Sequence, residues 1–242
     1  PLAFPVSAAP ADDVAPPEAW GPIPTETQLQ YHEEELSAFI HFGVNTFTGV
    51  EWGNGRENPN VFHPTGLDTD QWVKALKDAG FERIIMIGRH HDGFCLWNSD
   101  YTTQDVASST DFQATQAARG QSGDVLEELS KSCTKYDMDM GFYLSPWDAN
   151  NPTYGYGSGT DEETDSNGDY NEYYMNQLRE VLGNPKYGNN GKFVEVWMDG
   201  AKGSGAAAQH YKFQEWFDLI EELQPGAVVF SPYGSTIRSA CR

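Results

Sequence analysis

Five short apolar runs, separated by helical patterns, constrain the fold of this chain most strongly. The apolar residues in each run are nearly continuous rather than alternating, which is typical of strands that helices cover on both faces. Between the runs, apolar residues recur at helical spacing. This alternation of strand and helix predicts a parallel sheet covered by helices. The predicted strands are residues 35–43, 81–88, 138–145, 192–200 and 227–230, and the predicted helices are 25–35, 68–80, 125–136, 171–182 and 209–223.

A (β/α)8-type barrel is the architecture that this pattern favours. Long loops, residues 44–67 and 95–122, follow the first two strands. The alternative is a doubly wound open sheet, but no Gly-x-Gly-x-x-Gly follows the first strand. A complete barrel typically needs about 250 residues. Because only five strands precede Arg242, we expect about the first five units of a barrel. The remaining barrel and any C-terminal β-domain are expected outside the chain.

Composition limits the partners of the chain. The formal net charge is −21 and the isoelectric point is about 4.4, so nucleic acid and anionic membranes are not expected as partners. A neutral partner fits better, and 7 Trp, 12 Tyr and 13 Phe residues offer flat surfaces for one. No apolar run is long enough to span a membrane.

The termini and the cysteines bear on processing. Cys95, Cys133 and Cys241 have no paired spacing, which argues against a disulfide framework or a zinc ribbon and allows one disulfide with one free thiol. Residues 1–24 are rich in Pro and Ala and are predicted to form an extended leader, with residues 25–242 forming the partial barrel. The chain starts at Pro1 rather than Met, which we interpret as removal or omission of an N-terminal segment. A processed, secreted protein is therefore expected.

Chemically versatile side chains follow the apolar runs. The carboxyl ends of parallel strands meet at one face, where α/β proteins bind ligands. The sequence therefore predicts one site there, although Asp199 before Gly200 is also compatible with a simple helix cap. The candidates, strand by strand, are His41; His90 and His91; Tyr143 and Trp147; Trp197 and Asp199; and Tyr233 with Arg238.

A metal hydrolase is one interpretation of this set. Three histidines and an aspartate are plausible zinc or iron ligands. However, consecutive strand residues point to opposite faces. His90 and His91 therefore share a metal only if the strand has already ended, and the His-x-His spacing is absent. We favour a site without metal.

A sugar site is the interpretation that the whole set favours. Imidazoles exchange hydrogen bonds with hydroxyl groups, and Trp and Tyr rings pack against the apolar face of a sugar. A carboxylate at the anomeric carbon can act as the nucleophile of a retaining glycosidase, with a second carboxyl as general acid/base.

Four sequence blocks carry a family resemblance. The blocks are Phe-Ile-His-Phe-Gly-Val-Asn-Thr-Phe-Thr with Glu-Trp-Gly in residues 39–53, His-His-Asp-Gly-Phe-Cys-Leu-Trp in 90–97, Tyr-Leu-Ser-Pro-Trp-Asp in 143–148 and Val-Trp-Met-Asp-Gly in 196–200. In order and spacing they resemble the family 29 α-L-fucosidases, over about residues 35–238. They look closer to the branch that prefers α-1,3/1,4-linked fucose.

The resemblance implies a function and roles for residues. It implies an exo-glycosidase that hydrolyses terminal α-L-fucose from a glycan or oligosaccharide with retention, through a covalent fucosyl-enzyme on Asp199. The family needs no metal or other cofactor. The positions that match the family's sugar-binding residues are His41, Glu51, Trp52, His90, His91, Tyr143, Trp197 and Arg238.

The sequence departs from the family pattern at two places. Arg89 replaces the Lys that usually precedes the histidine pair, which keeps the charge but not the geometry. Relatives in this branch continue after the fifth strand to a Glu that is the acid/base. Residues 234–242 match that continuation only in part, and the acid/base Glu is expected beyond Arg242. Glu215, Glu221 and Glu222 are predicted to form a solvated helix face. An inactive, fucose-binding relative is therefore the alternative.

Overall fold

The fold is built on a parallel five-stranded sheet. The computed structural model describes residues 15–21, 23–155, 169–200 and 209–231. Strands that are neighbours in the sheet follow one another in the chain, and every pairing is parallel. A doubly wound sheet would place its first strand in the interior of the order, so the predicted barrel-type arrangement is confirmed. The strands are β1 (Ser37–Ile40), β2 (Arg83–Arg89), β3 (Asp139–Leu144), β4 (Glu195–Trp197) and β5 (Val228–Phe230).

Helices connect the strands close to where the periodicity predicts them. Asp124 caps the helix that begins at Val125 by accepting a hydrogen bond from the Glu127 amide. Asp68 caps the helix that begins at Thr69 in the same way, through the Gln71 amide. The helices are α1 (Glu26–Glu33), α2 (Asn45–Thr48), α3 (Thr69–Asp78), α4 (Thr110–Ala118), α5 (Val125–Tyr136), α6 (Tyr170–Leu182) and α7 (Phe213–Leu223).

Both predicted loops contain structure that the sequence pattern does not reveal. The segment 95–122 holds α4 and a 3₁₀ turn, so its prediction as a loop is wrong. This helix is short and polar, and of its residues only Phe112 and Gln116 are buried, too few to give a helical periodicity. The segment 44–67 holds α2 and a second 3₁₀ turn. Its aromatic residues order it, since Phe47 and Phe62 pack edge to face at 5.4 Å.

The three central strands carry buried residues on both faces, whereas Phe39 in β1 and Phe230 in β5 are each 42% exposed. Ile85, Ile87, Tyr143 and Trp197 form an inner cluster, while Ile84, Met86, Phe142 and Val196 belong to the main core. Because side chains alternate along a strand, apolar residues are needed on both faces. The predicted two-sided burial is confirmed for β2, β3 and β4, whereas the edge strands β1 and β5 are partly exposed.

A register shift near the end of β2 changes which residues face inward. Ile87 pairs with Tyr143, whereas Arg89 pairs with Leu144, so β2 contains one extra residue there. That residue is Gly88, and a Cβ on it would lie 2.2 Å from the Phe142 ring. A larger residue would therefore clash with β3. As a β-bulge does, the shift turns Arg89 to the outer layer.

Two of the three cysteines, and part of the predicted leader, lie among the described residues. Cys95 and Cys133 are buried free thiols, so a disulfide between them is excluded, and Cys241 lies outside the described residues. Residues 1–14 and 22 of the predicted leader also lie outside them. Among the helices described, none has the length and apolar character needed to cross a bilayer.

Candidate active site

Asp199 lies at the mouth of the sheet, two residues beyond the end of β4. It continues the inward register of Glu195 and Trp197. Its carboxylate is partly open to solvent, with 36% of the side chain exposed, and its Oδ2 lies 3.8 Å from His91 Nε2. Tyr143 Oη donates a hydrogen bond of 3.0 Å to the same oxygen. The carboxylate is therefore oriented by β3 while it remains accessible.

Three histidines gather beside this carboxylate. The centroids of His41 and His90 are 4.5 Å apart, and those of His90 and His91 are 4.0 Å apart. β2 ends at Arg89, so the chain is already turning when it reaches the pair. Two adjacent histidines can therefore line one pocket.

Burial keeps the imidazoles of His90 and His91 neutral at neutral pH. Loss of hydration lowers the pKa of His90 to about 3 and that of His91 to about 4. It also lowers the pKa of His41, against the opposing charges of Asp199 and Glu51. A neutral imidazole offers one donor and one acceptor. The cluster therefore suits hydroxyl groups better than anions.

Tyr143 completes the electrostatics around Asp199. Burial raises the pKa of its phenol, and the neighbouring Asp199 charge raises it further. The phenol is thus a permanent donor to the carboxylate.

Tryptophan rings form the outer wall. Trp52 packs edge to face on His91 at 5.4 Å and on Trp147 at 5.5 Å, and it remains 52% exposed. His91 and Trp147 lie 4.7 Å apart. Such partly open rings suit the apolar face of a sugar. Glu51 lies exposed on the same rim.

Asp92 anchors the loop that carries this rim. It is 2% exposed, and its carboxylate accepts hydrogen bonds from Asn45 Nδ2 at 2.8 Å and from the Phe94 amide at 2.7 Å. Gly53 packs so closely that a Cβ on it would lie 2.7 Å from Asp92 Cβ. The loop of Glu51 and Trp52 is therefore held against the turn that carries the histidines.

Arg89 does not lie in this pocket. It is fully buried and forms an ion pair with Asp148, and it donates to the Ser145 carbonyl and, at 3.1 Å, to Tyr170 Oη. The register shift at Gly88 sends its side chain to the outer layer. There it connects β2 to the segment after β3.

A cation has one candidate site among the described residues. Ligand atoms of His90, His91 and Asp199 all lie within 4.8 Å of one another. Nitrogen and carboxylate donors of this kind suit zinc. Because β2 ends at Arg89, before the histidine pair, His90 and His91 can both reach one ion. A chelation experiment therefore has to test the metal interpretation.

Comparison with known proteins identifies the family. Residues 55–239 match the α-L-fucosidase family. The chain belongs to the α-L-fucosidases, glycoside hydrolase family 29. It is 44% identical over 217 residues to α-L-fucosidase 1 of Arabidopsis thaliana, a match that covers 90% of this chain and 38% of the relative. The chain thus spans well under half of that relative's length.

Solved structures of the family have the same fold. A Ruminococcus gnavus family 29 fucosidase in complex with fucose superposes with a TM-score of 0.74 at 48% identity, covering 86% of this chain and 42% of that one. A Bacteroides thetaiotaomicron family 29 α-L-fucosidase, trapped as a covalent intermediate with 2-fluoro-fucosyl fluoride, superposes with a TM-score of 0.66 at 25% identity. It covers 88% of this chain and 50% of that one. The barrel expected from the sequence is the fold of this family.

Most of the residues proposed for the sugar site come together. His41, His90, His91 and Tyr143 surround Asp199, and Trp52 and Glu51 lie on the rim. Trp197 is half-buried and stacks on Phe230 at 3.6 Å, so it packs inside the sheet as well as near the pocket. Arg238 and Tyr233 lie outside the described residues.

Sequence reasoning missed two residues of the site, Asp92 and Ser145. Both stand inside the family blocks, in His-His-Asp-Gly-Phe and Ser-Pro-Trp-Asp. A polar residue in a block that is otherwise apolar or sugar-facing is the signal that would have identified them. The exposed positions of Glu215, Glu221 and Glu222 agree with their predicted solvated face.

Asp92 makes stability depend on pH in this fucosidase-family chain. Burial, followed by the nearby charges of Glu57 and Asp148, raises the pKa of its carboxyl to about 7, well above the usual value for an aspartate. The folded state therefore holds a proton that the unfolded state releases. This contribution to stability is present below about pH 4 and is lost as the pH rises through 7.

We expect Asp92→Asn to remove this dependence, because the amide imitates the protonated acid and Asn45 can present its Oδ1 in exchange. The difference in Tm, variant minus wild type, should increase between about pH 4 and pH 8 in thermal unfolding. Asp111→Asn, at an exposed position, is the matched control and should show a flat difference. A flat difference for Asp92→Asn too would contradict the assignment.

Proposed function

We propose that the full-length protein is a retaining α-L-fucosidase that removes terminal fucose from glycans, with Asp199 as its nucleophile. The observation that carries the proposal is an accessible carboxylate, held by Tyr143 and flanked by neutral histidines and tryptophan rings. Family membership and the fucose bound by the R. gnavus relative support the same substrate class.

The chemistry follows from two carboxyl groups. A carboxylate oxygen of Asp199 forms a bond to the anomeric carbon while the bond from that carbon to the leaving oxygen breaks. A general acid gives the leaving oxygen its proton. Water then attacks the fucosyl ester, loses its proton to the same group as base, and frees Asp199 with net retention. The covalent intermediate trapped in the B. thetaiotaomicron relative supports this route.

The described side chains have separate tasks in this reaction. Tyr143 keeps the carboxylate oriented and ionised, since its phenol donates to the ionised form. His41, His90 and His91 exchange hydrogen bonds with the fucose hydroxyls, and Trp52 covers the ring. A carboxyl beyond Arg242 would serve as the acid/base. Without it, the protein would be the inactive, fucose-binding relative.

The partner and location follow as further proposals. The acidic surface, with a net charge of −21, favours a neutral fucosylated glycan and disfavours nucleic acid and anionic membranes. The sequence blocks favour α-1,3/1,4-linked fucose, and the acidic composition favours secretion.

Fucose release by the full-length protein tests this function. We expect hydrolysis of both a nitrophenyl α-L-fucoside and an α-1,3/1,4-fucosylated oligosaccharide, with equal rates with and without EDTA. Hydrolysis of the nitrophenyl fucoside alone would indicate the relative that lacks a general acid, because that leaving group needs little protonation. Activity that is lost with EDTA and returns with zinc would contradict the proposal in favour of a metal hydrolase at His90, His91 and Asp199.

A further inference from the structure

Ser145 connects the segment after β3 to the histidine pair. It is fully buried, and its Oγ lies 2.7 Å from His91 Nδ1 and 2.7 Å from the Trp147 carbonyl oxygen. Its backbone is held on both sides by Arg89, whose carbonyl accepts from the Ser145 amide at 3.0 Å and whose guanidinium donates to the Ser145 carbonyl. The hydroxyl is therefore fixed in place rather than rotating in solvent.

Counting hydrogens decides the direction of these two bonds. The Trp147 carbonyl can only accept, so the single Ser145 hydroxyl hydrogen must point to it. The bond to His91 then needs its hydrogen from Nδ1. In the opposite arrangement the Ser145 and Trp147 oxygens would face each other at 2.7 Å with no hydrogen between them. A buried pair of unpaired acceptors is strongly disfavoured.

We infer that Ser145 is a positioning residue that fixes His91 as its Nδ1–H tautomer, so that Nε2 accepts a hydrogen bond from a hydroxyl of the sugar. The inference rests on the proposed function for the identity of that sugar, fucose. The tautomer itself rests only on the contacts of Ser145. His91 Nε2 lies 3.8 Å from Asp199 Oδ2, which is too long for a hydrogen bond, so this contact does not hold a proton on Nε2.

The tautomer matters because Nε2 faces the nucleophile. Nε2 and Asp199 Oδ2 are 3.8 Å apart. A proton on Nε2 would attract the carboxylate and compete with its attack on the anomeric carbon. A lone pair on Nε2 instead accepts a hydrogen bond from a sugar hydroxyl. Nε2 then does not compete with Tyr143 or with the reacting carbon for the Asp199 carboxylate.

The first test reads the tautomer directly and needs no activity. In the full-length protein labelled with ¹⁵N at histidine, the His91 signals are assigned as those that His91→Gln removes. We expect the signal of a protonated Nδ1 and of an unprotonated Nε2 at pH 7, and Ser145→Ala should make the Nε2–H form appear. A protonated Nε2 in the wild type would overturn the inference.

The second test reads the consequence for catalysis. Ser145→Ala should lower kcat/KM by about 10- to 100-fold, as expected for loss of one buried hydrogen bond in the site. Ser109→Ala is the matched control, because Ser109 is equally buried and donates to the Phe62 carbonyl away from the pocket. It should leave kcat/KM unchanged.

A panel of monodeoxy nitrophenyl fucosides separates positioning from general damage. For the one sugar that lacks the hydroxyl bound by Nε2, Ser145→Ala should have little further effect, while the other sugars keep the full loss. An equal loss with every sugar, or no loss at all, would overturn the inference. If the tautomer is as expected but the wild type releases no fucose, the proposed function fails and the tautomer assignment is supported.

Discussion

Replacing Asp199 with Ala is expected to reduce turnover by roughly 10⁴-fold or more, as the loss of a nucleophile does in other enzymes that use covalent catalysis. Without this carboxylate no fucosyl ester can form. The fold should persist, since 36% of the Asp199 side chain is exposed. The measurements are kcat on a nitrophenyl fucoside and Tm for the purified variant.

Azide provides the control for this variant. A small anion can enter the space left by the carboxylate and attack the anomeric carbon, so azide should restore part of the rate and yield fucosyl azide. Asp100→Ala, an exposed carboxylate on another loop, should keep the wild-type rate. A near-normal rate for Asp199→Ala, with no effect of azide, would show that the nucleophile is another group.

Replacing Arg89 with Met is expected to destabilise the protein by about 3–5 kcal/mol, because it leaves a buried carboxylate without its partner. Asp148 is 1% exposed and pairs with the fully buried Arg89. The Ser145 carbonyl and Tyr170 lose the same donor. Urea unfolding of the full-length variant, compared with wild type, gives the change in the free energy of unfolding.

Asp148→Asn in the Arg89→Met background tests the cause. The amide oxygen can still accept from the Asn150 and Asn151 amides, as Oδ1 of Asp148 does at 2.8 and 2.9 Å. Removing the unpaired charge should therefore recover much of the lost stability, a coupling that a double-mutant cycle measures. A cost below about 1 kcal/mol for Arg89→Met alone would contradict a buried, essential ion pair.

The strands and the site at their ends could be predicted because both depend on local pattern. Continuous apolar runs specify strands that are covered on both faces, and the sheet order then follows the chain. The alternation of side chains places His41 and Asp199 inward, each two residues beyond an inward-facing aromatic, Phe39 and Trp197. These positions need no knowledge of distant contacts.

The position of Arg89 could not be predicted because it depends on packing across strands. The register shift at Gly88 is coupled to the Phe142 ring, which lies 54 residues away in sequence. A shift of one residue exchanges the two faces of a strand. The roles of Asp92 and Ser145 likewise depend on Asn45 and His91, partners that only the folded chain brings near.

The formation of a covalent intermediate tests the central claim most directly. The full-length protein would be incubated with 2-fluoro-fucosyl fluoride, digested and analysed by peptide mass spectrometry. We expect one fluorofucosyl group on the peptide that contains Asp199, located at that residue by fragmentation and absent from Asp199→Ala. A label on a different residue, or turnover of substrate with no label at all, would contradict Asp199 as the nucleophile of a retaining fucosidase.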